Sequence, residues 1–157
     1  MRRGSLLQMN MTNRSQAGRG GQRRRPLFTQ SPKGQALGDI TDFDGAVAEV
    51  HGSIDAVMAV FGVPRVNEDD AERAVRAAFA MQESLAQLNP MFKQEYGAHL
   101  VLRIGIATGE AVAASRAVNE FMVTGEVPNL AARLQSVGDG ITVSETTQRL
   151  LAPYLEA

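Results

Sequence analysis

The chain has 157 residues, 44% of them apolar and 5% aromatic, with Lys+Arg 16 against Asp+Glu 17 and neither Cys nor Trp. This size and composition predict one modest soluble domain; no apolar run reaches the roughly 18 to 20 residues of a membrane span, and the basic start lacks the apolar stretch and cleavage site of a secretory signal, which points to the cytoplasm. Without Cys there is no disulfide or thiolate metal site, and two His are too few for a His-rich centre, so any metal would sit on carboxylates and be a hard ion such as Mg²⁺ or Mn²⁺.

The near-zero net charge hides an asymmetry. Residues 1–33 hold eight basic side chains and no acid, for +8, while the remainder carries −9. The first segment is rich in Gly, Ser, Gln and Asn, so residues 1–35 read as a disordered basic tail. Arg23-Arg24-Arg25 has a functional reading as a nucleic-acid or acidic-surface contact and a plain one as a solvated tail. No aromatic residue interleaves with these arginines to stack on bases, and the composition argues against nucleic acid.

Ordered elements begin at Ala46. Ala46–Val50 and Ala56–Phe61 read as two strands joined by a tight connection with a carboxylate, Asp55, at its tip. Asn67-Glu68-Asp69-Asp70 opens a helix, with Asn67 as its cap and the acids at the positive end of the helix dipole. Ala71, Ala74, Val75, Ala78, Met81, Leu85 and Leu88 give that helix an apolar face, and Asn89-Pro90 ends it. His99–Ala107 predicts a central strand stopping at Thr108-Gly109, and Phe121–Thr124 a further short one. Gly125–Val137 reads as a turn running into a helix, Pro128 being tolerated in its first turn. Ile141–Val143 is a last strand, and Ser144-Glu145 caps a final helix to about Leu151, before Pro153. The order β-β-α-β-β-α-β-α predicts an α/β sandwich with helices on at least one face of a sheet.

Two places stand out chemically. Asp55 sits at a hairpin tip beside an apolar run. Asn129 and Arg133, four apart, share one helix face, where an amide and a guanidinium can hold a ribose and a phosphate oxygen. The plain reading of such a pair is an exposed polar stripe.

Three ordered strings add context: D-A-V-M-A-V-F-G-V-P from Asp55, L-R-I-G-I-A-T-G-E-A-V-A from Leu102 to Ala113, and V-T-G-E-V-P-N-L-A-A-R-L-Q from Val123 to Gln135. Together they resemble the class III adenylate/guanylate cyclase catalytic domain over about 100 residues. The resemblance implies a ferredoxin-like mixed sheet with helices packed on it, over residues 36–157. It also implies conversion of a nucleoside triphosphate, ATP or GTP, to the 3′,5′-cyclic monophosphate and pyrophosphate in intracellular signalling. By the same resemblance Asn129 orients the ribose, Arg133 stabilises charge on the α-phosphate, and Asp55 is one of two metal carboxylates holding Mg²⁺ or Mn²⁺. It further implies a homodimer, with metal residues from one subunit and the Asn/Arg pair from the other.

This sequence departs from that pattern in four places. Ile54 precedes Asp55 where the family has Gly. The first purine-selecting position holds His51, or Glu49 if two residues are inserted, and the second holds Met122, which cannot hydrogen-bond a base edge. Leu37–Asp44 resembles the family's first strand, with Asp39 at the metal position, but runs almost directly into Ala46 where two helices belong. The front strand and helices are therefore incomplete, and the alternative to an active enzyme is a truncated, inactive cyclase-like domain acting in dimerisation or regulation, or without function.

Overall fold

The structure, a computed structural model, describes residues 2–13, 46–50, 56–62, 66–117 and 120–155. Its frame is a six-stranded mixed sheet: β1 (Arg2–Asn13), β2 (Ala46–Val50), β3 (Ala56–Phe61), β4 (Leu100–Ala117), β5 (Glu120–Thr124) and β6 (Gly140–Val143). The helices are α1 (Asp70–Tyr96), α2 (Glu126–Val137) and α3 (Glu145–Leu155). The strands run in the order β2-β3-β1-β4-β5, all neighbours antiparallel, and β6 pairs parallel with β4. The expected hairpin is present as β2 and β3, with a register shift between Val47 and Glu49.

The main correction concerns the N-terminus. Arg2–Asn13 was expected to be disordered, yet it forms the strand at the centre of the sheet, paired with β3 from Ser5 to Asn10 and with β4 along its whole length. Residues 14–35 of the expected tail lie outside the described residues. The physical reason lies in a short pattern that the charge obscured: Leu7, Met9 and Met11 alternate with Gln8, Asn10 and Thr12, the period of a strand. Those apolar residues are registered opposite Ile106, Ile104 and Leu102. A one-residue slip would set the polar residues opposite them instead, so the pattern specifies the register.

Alternation also sorts the core into two layers. Ala59, Phe61, Leu102, Ile104 and Ile106 pack with Ala74, Ala77, Ala78, Met81 and Leu85 of α1, while Met58, Val60 and Ala107 pack with Val127 and Ala131 of α2. The sheet thus carries α1 and α2 on opposite faces.

Four boundaries differ from expectation. Asn67 is not the cap of α1; the cap residue is Asp69, without a side-chain bond, and the Asp70 carboxylate instead accepts from the Asn67 backbone N–H at 2.8 Å and pairs with Arg73. α1 runs through Pro90 to a left-handed Gly97 at φ 63°. Tertiary anchors outweigh the lost hydrogen bond: Asn89 bonds both backbone groups of Leu100, at 3.0 and 2.9 Å, and Phe92 is buried. β4 continues past Thr108-Gly109 because β1 and then β5 supply partners as far as Ala117. α3 likewise continues through Pro153 to Leu155. Its start is as expected, with Ser144 Oγ accepting from the Thr147 N–H at 3.3 Å and the two hydroxyls 2.9 Å apart.

Candidate active site on helix α2

β5 leads through Gly125, at φ 130°, straight into α2. The cap carries no side-chain hydrogen bond, and Glu126 supplies an acid in the first turn. Val127 and Ala131, one turn apart, are buried against the sheet, and this fixes the helix's rotation. Asn129 and Arg133 consequently lie exposed, and their spacing of four places them on one stripe. Sequence reasoning brought these two together, and the structure keeps them on the same solvent-facing side. The Arg133 carbonyl accepts from Ser136 Oγ at 2.7 Å, inside the C-terminal half of the helix.

The seat of α2 is built from two glycines that sequence reasoning used only as a strand stop or not at all. A Cβ placed on Gly105 would lie 2.1 Å from the Ala131 carbonyl oxygen and 2.6 Å from the Gln135 nitrogen. One on Gly109 would lie 2.8 Å from Val127 Cγ2. At Gly105 backbone therefore rests on backbone, at Gly109 the Val127 side chain fills the gap, and β4 sets the height of the Asn129 and Arg133 stripe above the sheet. The signal was available: Gly105 and Gly109 sit at even spacing in one strand, hence on one face.

β4 also ties the other elements to this seat. Ser144 N–H donates to the Ile106 carbonyl at 2.8 Å, and Thr108 Oγ1 lies 2.9 Å from Oγ1 of the fully buried Thr147. Gln82 Nε2 donates to the Leu102 carbonyl at 3.0 Å.

The remaining candidates are less fully placed. Met122 lies on β5 registered with Ala114, two residues before the end of the strand that feeds α2. Asp55, Asp39 and His51 lie outside the described residues, Asp55 immediately preceding β3 and His51 immediately following β2 in sequence. Among the described residues no group of three or more His, Asp or Glu could hold a metal ion. Of the two neighbours of β3, β1 contains no Asp or Glu and β2 contains Glu49, registered with Met58.

The sequence profile of the adenylate and guanylate cyclase catalytic domain matches residues 36–156. The chain belongs to this family. Its fold resembles that of the guanylyl cyclase Cya2, with TM-score 0.75 and 28% identity over 95% of this chain and 78% of that one. It is also similar to the adenylyl cyclase CyaB from P. aeruginosa, with TM-score 0.74 and 23% identity over 96% and 82%. The guanylate cyclase domain of RhGC from Catenaria anguillulae, solved in complex with GTP, matches with TM-score 0.72 and 22% identity over 96% and 82%. No curated protein matches the chain in a sequence comparison. The cyclase domain contains no helix, among the described residues, long and apolar enough to cross a membrane.

Proposed function

We propose that this cyclase domain, formed by residues 36–157 with β1 contributed from upstream, closes the ribose of ATP or GTP onto its own α-phosphate, giving the 3′,5′-cyclic monophosphate and pyrophosphate. The observation that carries the reading is the exposed Asn129 and Arg133 stripe, held at fixed height by backbone contact with β4. Asn129 presents an amide that bonds a ribose oxygen and limits the sugar's rotation, so that its 3′-hydroxyl faces phosphorus. Arg133 presents a forked cation to the α-phosphate, whose charge grows as the new P–O bond forms. Met122, on the strand entering α2, offers the base an apolar surface with no hydrogen-bond code, and His51 contributes from the end of β2.

An exposed stripe acts on a nucleotide only when a second surface closes over it, which favours a homodimer in the cytoplasm in which α2 of one copy faces the hairpin of the other. The family's divalent ion, Mg²⁺ or Mn²⁺, belongs on that hairpin side, with Asp55 and Asp39 as its carboxylates in sequence. The test is cyclic nucleotide formation by the purified chain at saturating Mn²⁺ with ATP or GTP, beside Arg133→Ala. Product that disappears in the variant supports the reading; product indifferent to Arg133 overturns it.

A further inference from the structure

α2 descends along β4, and three points of contact mark its course. Val127 meets Gly109, Ala131 and Gln135 meet Gly105, and Asp139, just past the helix, meets Arg103, whose guanidinium lies 3.2 Å from the carboxylate. Residues 103, 105 and 109 alternate onto one face of the strand. The first two contacts are steric and hold the half of α2 that carries Asn129. The third is polar and closes the half that carries Arg133.

The chain leaving α2 converges on Arg103. The helix ends at Val137, and only Gly138 and Asp139 separate it from β6, whose first residue, Gly140 at φ 93°, is registered with Arg103. This turn is therefore tied to one side chain and its own backbone, by charge at Asp139 and by strand pairing at Gly140. α2 has no basic residue in its own last turn, and Arg103 brings a cation to the negative end of the helix dipole from the neighbouring strand.

Two buried atoms belong to the same joint. Arg103 Nε, a donor, and Gln135 Oε1, an acceptor, are both buried, and neither has a hydrogen-bonding partner among the described residues. Buried polar groups cost stability unless they are matched, and these two are of opposite character. Gln135 lies over Gly105, two positions along the strand from Arg103 on the same face.

We infer, resting on the proposed cyclase reading, that Arg103 is a positioning residue for Arg133: its guanidinium holds the end of α2 by Asp139 on one side and by Gln135, directly or through one water, on the other. Arg133 precedes Gln135 by two residues, so its reach toward an α-phosphate depends on this joint. Asn129 depends on the two glycine contacts instead.

The test compares kcat and KM for cyclic nucleotide formation at saturating Mn²⁺, with a thermal melt of each variant. In Arg103→Met, kcat is expected to fall about ten- to a hundredfold, the scale for a reacting geometry displaced by up to about 1 Å. KM is expected to stay near the native value because Asn129 keeps its place, and the melt to move little because the Arg103 and Asp139 pair is partly exposed. Arg103→Lys keeps a charge for Asp139 but loses the Nε–H, so it should recover part of the loss, and Gln135→Leu should reproduce the part not recovered. Should Arg103→Met fail to fold, Asp139→Asn takes its place, since that side chain is exposed, with the same fall in kcat at native KM expected. A native kcat in the variant, or a kcat that falls only in step with KM and melting temperature, overturns the inference. If the folded native chain forms no product, the cyclase reading fails and the joint is read by NMR of the same variant. Backbone amide shifts that move at Arg133 and hold at Asn129 support the positioning role, and equal movement at both, or at neither, overturns it.

Discussion

The two sides of the sheet's centre are built to different standards. On the α2 side, Gly105 in β4 lets helix backbone touch strand backbone, and the helix so seated carries the exposed pair Asn129 and Arg133. On the hairpin side one neighbour of β3 is a strand drawn from the far N-terminus, matched to it in register from Ser5 to Asn10. A sheet position selects residues by their period and bulk, so a segment far away in sequence can satisfy the fold there. The lesson is that close backbone approach fixes one side of the sheet's centre and register with two distant strands fixes the other.

Removing β1 breaks the comparison most severely. Deleting residues 1–13 strips β3 and β4 of their shared neighbour, and the loss is expected to exceed the whole stability of a domain this size, about 5–15 kcal/mol. Circular dichroism should then show no cooperative melt, whereas a melt like that of the full chain would return Arg2–Asn13 to the status of a tail. On the shared core, Phe61→Ala is expected to cost about 3–5 kcal/mol by denaturant titration, since the ring is fully buried beneath α1.

The α2 side separates chemistry from packing. Arg133→Ala should lower cyclic nucleotide formation about 10²- to 10³-fold, the scale for losing one donor aimed at developing charge, while the melting curve stays in place because the side chain is exposed. Gly105→Ala should change both, costing about 1–3 kcal/mol as the new methyl pushes α2 off its seat, with activity falling in step. A fall in stability with full activity would show that the height of the stripe does not matter.

Smaller still, Thr147→Val leaves the Thr108 and Ser144 hydroxyls without their shared partner, for about 1–3 kcal/mol in the same titration. Arg149→Ala removes an ion pair to Glu145 with both side chains mostly exposed, and the expected change is within about 0.5 kcal/mol.

Much of the α2 side was legible in the residues. The strand periods of Ala56–Phe61 and Leu102–Ala107, the helical stripe from Ala71 to Leu85 and the Asn129 and Arg133 spacing are local patterns, and local patterns survive in one dimension. Element ends were less legible. Pro90 and Gly109 are breakers by intrinsic preference, yet α1 passes the first because Asn89 and Phe92 are anchored, and β4 passes the second because β1 pairs across it and β5 takes over from Val112.

By itself the sequence determined the alternation of strands and helices from Ala46 on, the face that α1 buries, the cyclase motifs and the shared face of Asn129 and Arg133, because each depends on residues within a turn or two of one another. Only the tertiary structure decided which segment completes the sheet. That choice depends on a register with two distant strands and on the length of chain needed to cross between parallel ones, and neither is written in any single stretch of residues.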